Sequence, residues 1–372
     1  MKINVTRSSM PTIEEYCDEI KELWETHWLT NTGVKYKRLQ DELTKYLGVD
    51  NLSLYTNGHL ALEAALALFN FPRGSEVITT PFTFVSTTNA IVRNGLIPRF
   101  CDINEKDYTL DVGKIEGLIN ERTVAILPVH VYGHVCDVNE IERIAAKHNL
   151  KVIYDAAHAF GVKYNGAGIG RYGDVSMFSF HATKVFNTIE GGCICFKDSS
   201  FEQTVEDMKN FGIRDEEHCL YIGGNAKMNE FQASMGICNL RHIDDCIFRR
   251  KAAVEQYRKR LGNIKGIHLV SDQKNVVHNY SYMPVVFDGY KYTRDEIKLL
   301  LANHDIGARK YFYPLTSEYE CYKDFDKGNT PVAKYISERV LTLPLFSDIT
   351  IEQVDEICDI ILGKILWLKE FF

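Results

Sequence analysis

Residues 124–158 read VAILPVHVYGHVCDVNEIERIAAKHNLKVIYDAAH: an apolar run, a helix-like segment and a second apolar run that ends on an acid. Neither apolar run alternates with polar residues. Continuous apolar strands belong to a sheet covered on both faces, and two of them joined through a helix are a parallel pair. The same alternation spans residues 52 to 200, where EVITT, IPRFCDI, VSMFSF and GGCICF are further strand-like runs. The expected fold class is therefore α/β with a mostly parallel central sheet, and ligands are expected at the strand ends. Upstream, Pro11 to His27 reads as one helix with proline at its start, and a second apolar face runs from Tyr36 to Leu47 between Gly33 and Gly48. Downstream, the stretch from Asn229 through EFQASMGICNLRHIDDCIFRRKAAVEQYRKRL reads as one long helical spine. NYSYMPVVF, TRDEIKLLLANH and IEQVDEICDIILGKILWL then suggest a smaller α+β unit. The division expected is 1–240 for the N-terminal helices and large domain, and 241–372 for the long helix and small domain.

Composition narrows the function. A 372-residue chain with 45% hydrophobic and 25% charged residues is ordinary for a globular protein, and its net charge of −7 gives no general attraction to nucleic acid or an anionic membrane. MKINVTRSSMPTIEEY lacks the apolar core of a signal peptide, and no stretch approaches the roughly 18 apolar residues of a membrane helix, so a cytoplasmic location is expected. The ten cysteines include no CxxC pair; they read as reduced, mostly core residues, with Cys193 and Cys195 as neighbours on a strand, and no metal site is expected. No internal repeat stands out.

Lys184 follows the apolar run Val175 to Phe180 among small and polar residues in SFHATKVFNTIEGG. A lysine buried there has a lowered pKa and can form a Schiff base with an aldehyde, although a lone loop lysine is usually a solvated charge. Asp155 ends an apolar strand and needs a cationic partner, such as the protonated pyridine nitrogen of pyridoxal 5'-phosphate; a helix N-cap is the alternative. His158 reaches the same place, either as a bond to the phenolic oxygen of that cofactor or as a satisfied core histidine. In LYTNGHLALEAALALF a strand meets a strong helix former at Thr56-Asn57-Gly58, which suits a phosphate or a plain turn. Ser179 is a second phosphate candidate, and Phe84 suits either stacking on a flat ring or the core. The glycines at 166, 168 and 170 lack a preceding strand and a following helix, so a dinucleotide fingerprint is rejected.

Taken in order, TNGHLAL, PFTFVSTTNAI, PVHVYGHVCDVNEI, DAAHAFG, SFHATK, EGG and KMNEFQASMG resemble the DegT/DnrJ/StrS family of nucleotide-sugar aminotransferases across nearly the whole chain. The resemblance implies the aspartate aminotransferase-like fold (fold type I) and a homodimer with shared active sites. It implies that Lys184 carries the cofactor and shuttles the proton, that Asp155 pairs with the pyridine nitrogen and that His158 contacts the ring oxygen. Gly58, His59 and Ser179 match the phosphate cradle, Phe84 the stacking position, and Asn229 an asparagine reaching in from the neighbouring subunit. The WLTNTG segment with Thr30 and Asn31, and ARKYFYPL with Arg309 and Tyr313, resemble stretches near the sugar; Lys227, Arg309 or Lys310 are candidates to neutralise a diphosphate.

Two positions depart from the family pattern: His59 stands where a hydroxyl residue is usual, and Ile189 where many relatives have glycine. The implied reaction passes through pyridoxamine 5'-phosphate, with glutamate as donor. The expected substrate is dTDP-4-keto-6-deoxyglucose, aminated to the 4-amino-4,6-dideoxy sugar of surface polysaccharides such as O antigen. A 3-keto sugar or a UDP or GDP carrier is the alternative. Lys184 argues against the related sugar 3-dehydratases, in which histidine replaces it, and Lys184 with Asp155 argues against a non-catalytic sensor.

Overall fold

The computed structural model describes residues 2–365. Its central sheet has seven strands, in the order Leu52–Tyr55, Gly192–Phe196, Val175–Ser179, Lys151–Asp155, Thr123–Leu127, Glu76–Thr79 and Ile97–Phe100. Gly192–Phe196 runs antiparallel to both of its neighbours, and the remaining pairs are parallel. The continuous apolar runs have a direct cause. Val77, Leu127, Met177 and Ile194 enter one hydrophobic cluster, while Ile78, Ile126, Phe178 and Cys193 enter another on the opposite face. Successive side chains point to opposite faces, so both sets are apolar only when helices cover both. Val34–Leu47 and Val138–His148 cover one face, and Gly58–Ala67 and Val85–Arg93 cover the other.

A second core is built on an antiparallel sheet of Ile267–Leu269, Met283–Phe287 and Val340–Leu343. The helices Ile243–Leu261, Arg294–Asn303 and Ile351–Ile361 pack on it.

Several boundaries differ from expectation. The first helix starts at Ile13 because the Thr12 hydroxyl accepts the Glu15 N–H at 3.2 Å, leaving Pro11 outside; it is interrupted at Lys21 and ends at His27, whose φ of 55° is left-handed. The long spine is two helices, Glu230–Arg241 and Ile243–Leu261, parted at His242 with φ −110° and ψ 1°. The C-terminal helix ends at Ile361, and its expected continuation over Leu366 to Leu368 lies outside the described residues. The glycine run forms a hairpin between Lys163–Tyr164 and Ala167–Gly168, turned by Asn165 and Gly166 at positive φ, in keeping with the rejected dinucleotide reading. All ten cysteines are free, and those at 193 and 195 share the buried Gly192–Phe196 strand.

Ile189 has a φ of 69° in the connection between the Val175–Ser179 and Gly192–Phe196 strands. That region is strained for a β-branched residue and natural for glycine, which accounts for glycine being the common residue there. Ile189→Gly is expected to be neutral or stabilising by about 1 kcal/mol, against the usual penalty for introducing glycine. Denaturant unfolding of both proteins checks this; a loss of more than about 1 kcal/mol would refute the strain.

Candidate active site

Asp155 is the last residue of its strand and is buried. Its Oδ2 accepts the Thr87 hydroxyl at 2.7 Å and its Oδ1 the Ala157 N–H at 3.0 Å. Both donors are neutral. Burial pushes the carboxyl pKa above its ordinary value, opposed by these two bonds and the Lys184 charge. A carboxylate held this way retains an acceptor face for a cation in the adjoining cavity.

That cavity has a volume of about 570 Å³, and Asp155, Lys184, His158, Gly58, Ser179 and Phe84 all line it. Burial lowers the Lys184 pKa to about 8, with Asp155 and Tyr311 opposing the fall. Its Nζ donates to the Tyr282 hydroxyl at 3.4 Å. His158 Nδ1 accepts the Tyr132 N–H at 3.0 Å, so its proton sits on Nε2. Burial, and then the Lys184 charge, hold the ring pKa well below its ordinary value and keep it a neutral donor.

The Gly58–Ala67 helix begins beside this group. Asn57 caps it by taking the Leu60 N–H at 2.9 Å, which leaves the first two amides, Gly58 and His59, without intrahelical acceptors. A Cβ on Gly58 would sit 2.8 Å from Ser179 Cβ, and one on Gly192 would sit 2.7 Å from Gly58 Cα and N. Glycine is thus a steric requirement on both sides. The His59 side chain meets the Ser86 hydroxyl at 2.8 Å and Glu63 at 2.8 Å, so it is tied back along the helix while its amide remains a donor. Phe84, the residue before the Val85–Arg93 helix, is half exposed at the cavity edge.

The substrate candidates divide. Arg309 lines the cavity, its guanidinium 4.4 Å over the Tyr311 ring. Tyr313 does not; it is exposed, with Arg294 and Lys310 against its ring, and Lys310 pairs with Asp295 at 2.6 Å. Thr30 and Asn31 are exposed on a loop away from this cavity. Lys227 bonds Asn210 Oδ1 at 2.6 Å, and Asn229 caps the Glu230–Arg241 helix through the Gln232 N–H at 2.9 Å; neither lines the cavity of its own chain. Thr87, His181, Glu190, Tyr282, Tyr311 and Phe312 complete the setting and were not singled out from sequence. Thr87 was accessible to that reasoning, since a buried Asp155 requires a donor. Tyr311 and Phe312 lie inside the ARKYFYPL stretch, which pointed to Arg309 and Tyr313 instead, whereas Tyr282 had no local signal; all three pack in one cluster with Phe82 and Tyr132.

The family model for DegT/DnrJ/EryC1/StrS aminotransferases matches residues 12–362. The dTDP-4-amino-4,6-dideoxy-D-glucose transaminase of Escherichia coli is 39% identical over 97% of this chain and 98% of its own length. A crystal structure of DesI in the presence of its TDP-sugar product superposes with TM-score 0.90 at 27% identity, covering 97% of this chain and 92% of that one. A sugar aminotransferase of Streptococcus pneumoniae, solved in its PLP form, gives TM-score 0.89 at 26% identity, covering 96% and 97%. The expected α/β aminotransferase fold is thereby established.

In the cofactor-free protein, Lys184 should react with an acylating reagent with a midpoint near pH 8, whereas ordinary lysines titrate near 10.4. The reactive form is the free amine, so labelling rises with pH. Competitive labelling, read by mass spectrometry on the Lys184 peptide, checks this, and a midpoint near 10 contradicts it.

Proposed function

Because the chain belongs to the DegT/DnrJ/EryC1/StrS aminotransferase family, we propose that it uses pyridoxal 5'-phosphate to move the amino group of glutamate onto dTDP-4-keto-6-deoxyglucose, in the cytoplasm. The carrying observation is that a lysine with a depressed pKa and a carboxylate bonded only to neutral donors share one cavity beside a helix N-terminus. Those residues fit the cofactor. Asp155 suits a ring nitrogen that carries a proton, His158 Nε2–H suits a phenolic oxygen, and the amides of Gly58 and His59 with the Ser179 hydroxyl suit a phosphate. Phe84 suits one face of the ring.

When bound, pyridoxal phosphate supplies an aldehyde to receive the amino group and a ring that takes up electrons. The chain supplies proton transfer and position. Lys184, with a pKa of about 8, is populated as both amine and ammonium near neutral pH, so it can take the proton from the glutamate Cα and return one at the cofactor's C4′ carbon. On the sugar side it performs the same exchange in reverse. Asp155, kept anionic by its cationic partner, holds the ring nitrogen protonated, and Arg309 at the cavity mouth meets an anionic part of either substrate.

The reading includes a homodimer in which Asn229, Lys227 and the Thr30–Asn31 loop serve the neighbouring subunit's cavity. The loop and the Asn229 cap are adjacent, since the Glu230 N–H donates to the Leu29 carbonyl at 3.0 Å. Trp24, Trp28 and Ile222 are large apolar side chains on the outside of one chain, as an interface would require.

Borohydride should fix the cofactor to Lys184, and Lys184→Ala should lose at least about 10²-fold in turnover. Asp155→Asn should lose about 100-fold, roughly 2.7 kcal/mol in the barrier. Fixation on another lysine overturns the assignment. Incubation with glutamate and matched 3-keto and 4-keto sugars on dTDP, UDP and GDP, with the new amine located by NMR, tests the substrate; preference for another carrier or for C3 overturns it. Mixing Lys184→Ala with Asn229→Ala chains should restore activity to one site per heterodimer, and failure to do so removes the shared site.

A further inference from the structure

Tyr282 stands immediately before the Met283–Phe287 strand, yet it enters the active-site cavity and accepts a hydrogen bond from Lys184 at 3.4 Å. Ring packing and the bonds of the residues just before it fix it there. Its ring lies 4.7 Å from that of His158 and 5.9 Å from that of Tyr311. The preceding residue, Ser281, bonds the His158 carbonyl, and Asn279 Nδ2 bonds the carbonyls of His158 and Phe160 at 2.9 Å each. Behind it, the fully buried guanidinium of Arg250 donates to the Ser281 carbonyl at 3.5 Å and the Leu345 carbonyl at 3.3 Å. A backbone bonded on both sides by buried polar groups has little freedom, because each broken bond would strand a donor or acceptor.

Building on the aminotransferase reading, we infer that Tyr282 is a positioning residue for Lys184: its hydroxyl accepts the ammonium whenever that side chain is free, and aims it at the carbon exchanging the proton. The contact is directional and independent of Asp155, which faces the opposite requirement of a ring nitrogen. A flexible four-carbon side chain needs such a restraint, since misplacing a proton donor sharply reduces transfer. Two more cations, Arg250 and Arg309, lower the phenol pKa against its burial, which still leaves it at about 12, so the hydroxyl remains protonated and available at neutral pH.

Tyr282→Phe keeps the ring and removes the hydroxyl. A bond from an ammonium is stronger than one to a neutral amine, so its loss should favour the amine. In the cofactor-free variant the labelling midpoint of Lys184 is expected to fall by about half a pH unit, roughly threefold in the ammonium-to-amine ratio. In the loaded variant the single-turnover reaction with glutamate should slow about tenfold while cofactor affinity stays within about twofold. An unchanged midpoint, an unchanged rate, or a loss of cofactor affinity that accounts for the slowing each overturns the inference. If the wild-type protein fails borohydride fixation at Lys184, the aminotransferase reading itself falls and takes this inference with it; fixation in wild type with no change in the variant sinks only the role of Tyr282.

Discussion

The arrangement depends on placing one carboxylate at the end of a strand buried on both faces. Asp155 is fed from a backbone whose neighbours on either side are apolar, and it emerges where the parallel strands stop. A charge in that position is costly unless a cation meets it, and the two neutral donors it has offset only part of the cost. The fold therefore holds unfavourable electrostatics in readiness for a ligand. The same burial depresses the Lys184 pKa, so a single low-dielectric cavity produces both an acid seeking a cation and an amine ready to act as a nucleophile.

The two cores meet at this cavity rather than beside it. Asn279 and Ser281 attach the second core's chain to the carbonyls after Asp155, and Tyr282, Tyr311 and Phe312 supply a wall that the large sheet lacks. His158 stands at the junction: its Nδ1 is fixed by Tyr132, and its ring stacks parallel to Phe312 with centroids 5.9 Å apart. Loss of register between the cores would thus disturb the orientation of His158 as well as the cavity wall. Small displacements of such packed rings are transmitted because interiors are close-packed.

The strands, the covered sheet and the cavity positions of Lys184, Asp155, His158, Gly58 and Ser179 were legible in the sequence because each lies at a transition from an apolar run to a polar turn. Local pattern carries that information. The split at His242 was not legible, since the apolar stripe continues through it and only the backbone angle departs from helix. Nor was the position of Tyr282, whose neighbours in NYSYMPVVF read simply as strand; its significance arises from contacts with Lys184 and His158, which are distant in sequence. Thr30, Asn31, Lys227 and Asn229 illustrate a different limit: the motif match singled them out, yet none of them lines the cavity of its own chain.

The two departures from the family pattern act on different levels. At residue 59 the side chain changes but the helix amide, which is the donor common to any residue there, is unaffected, and the imidazole is engaged by Ser86 and Glu63. A helix N-terminal amide offers an anion the same donor whatever side chain stands there. At residue 189 the backbone is the point at issue, and isoleucine accepts a left-handed conformation that costs stability. The neighbouring glycines leave no such latitude: a Cβ on Gly191 would lie 2.8 Å from the Met228 methyl carbon and collide with the Thr188 hydroxyl, and one on Gly192 would strike the Gly58 backbone. Substitution is tolerated where the added atoms find space and costly where they meet a packed side chain, as at Gly191, or a second backbone, as at Gly192.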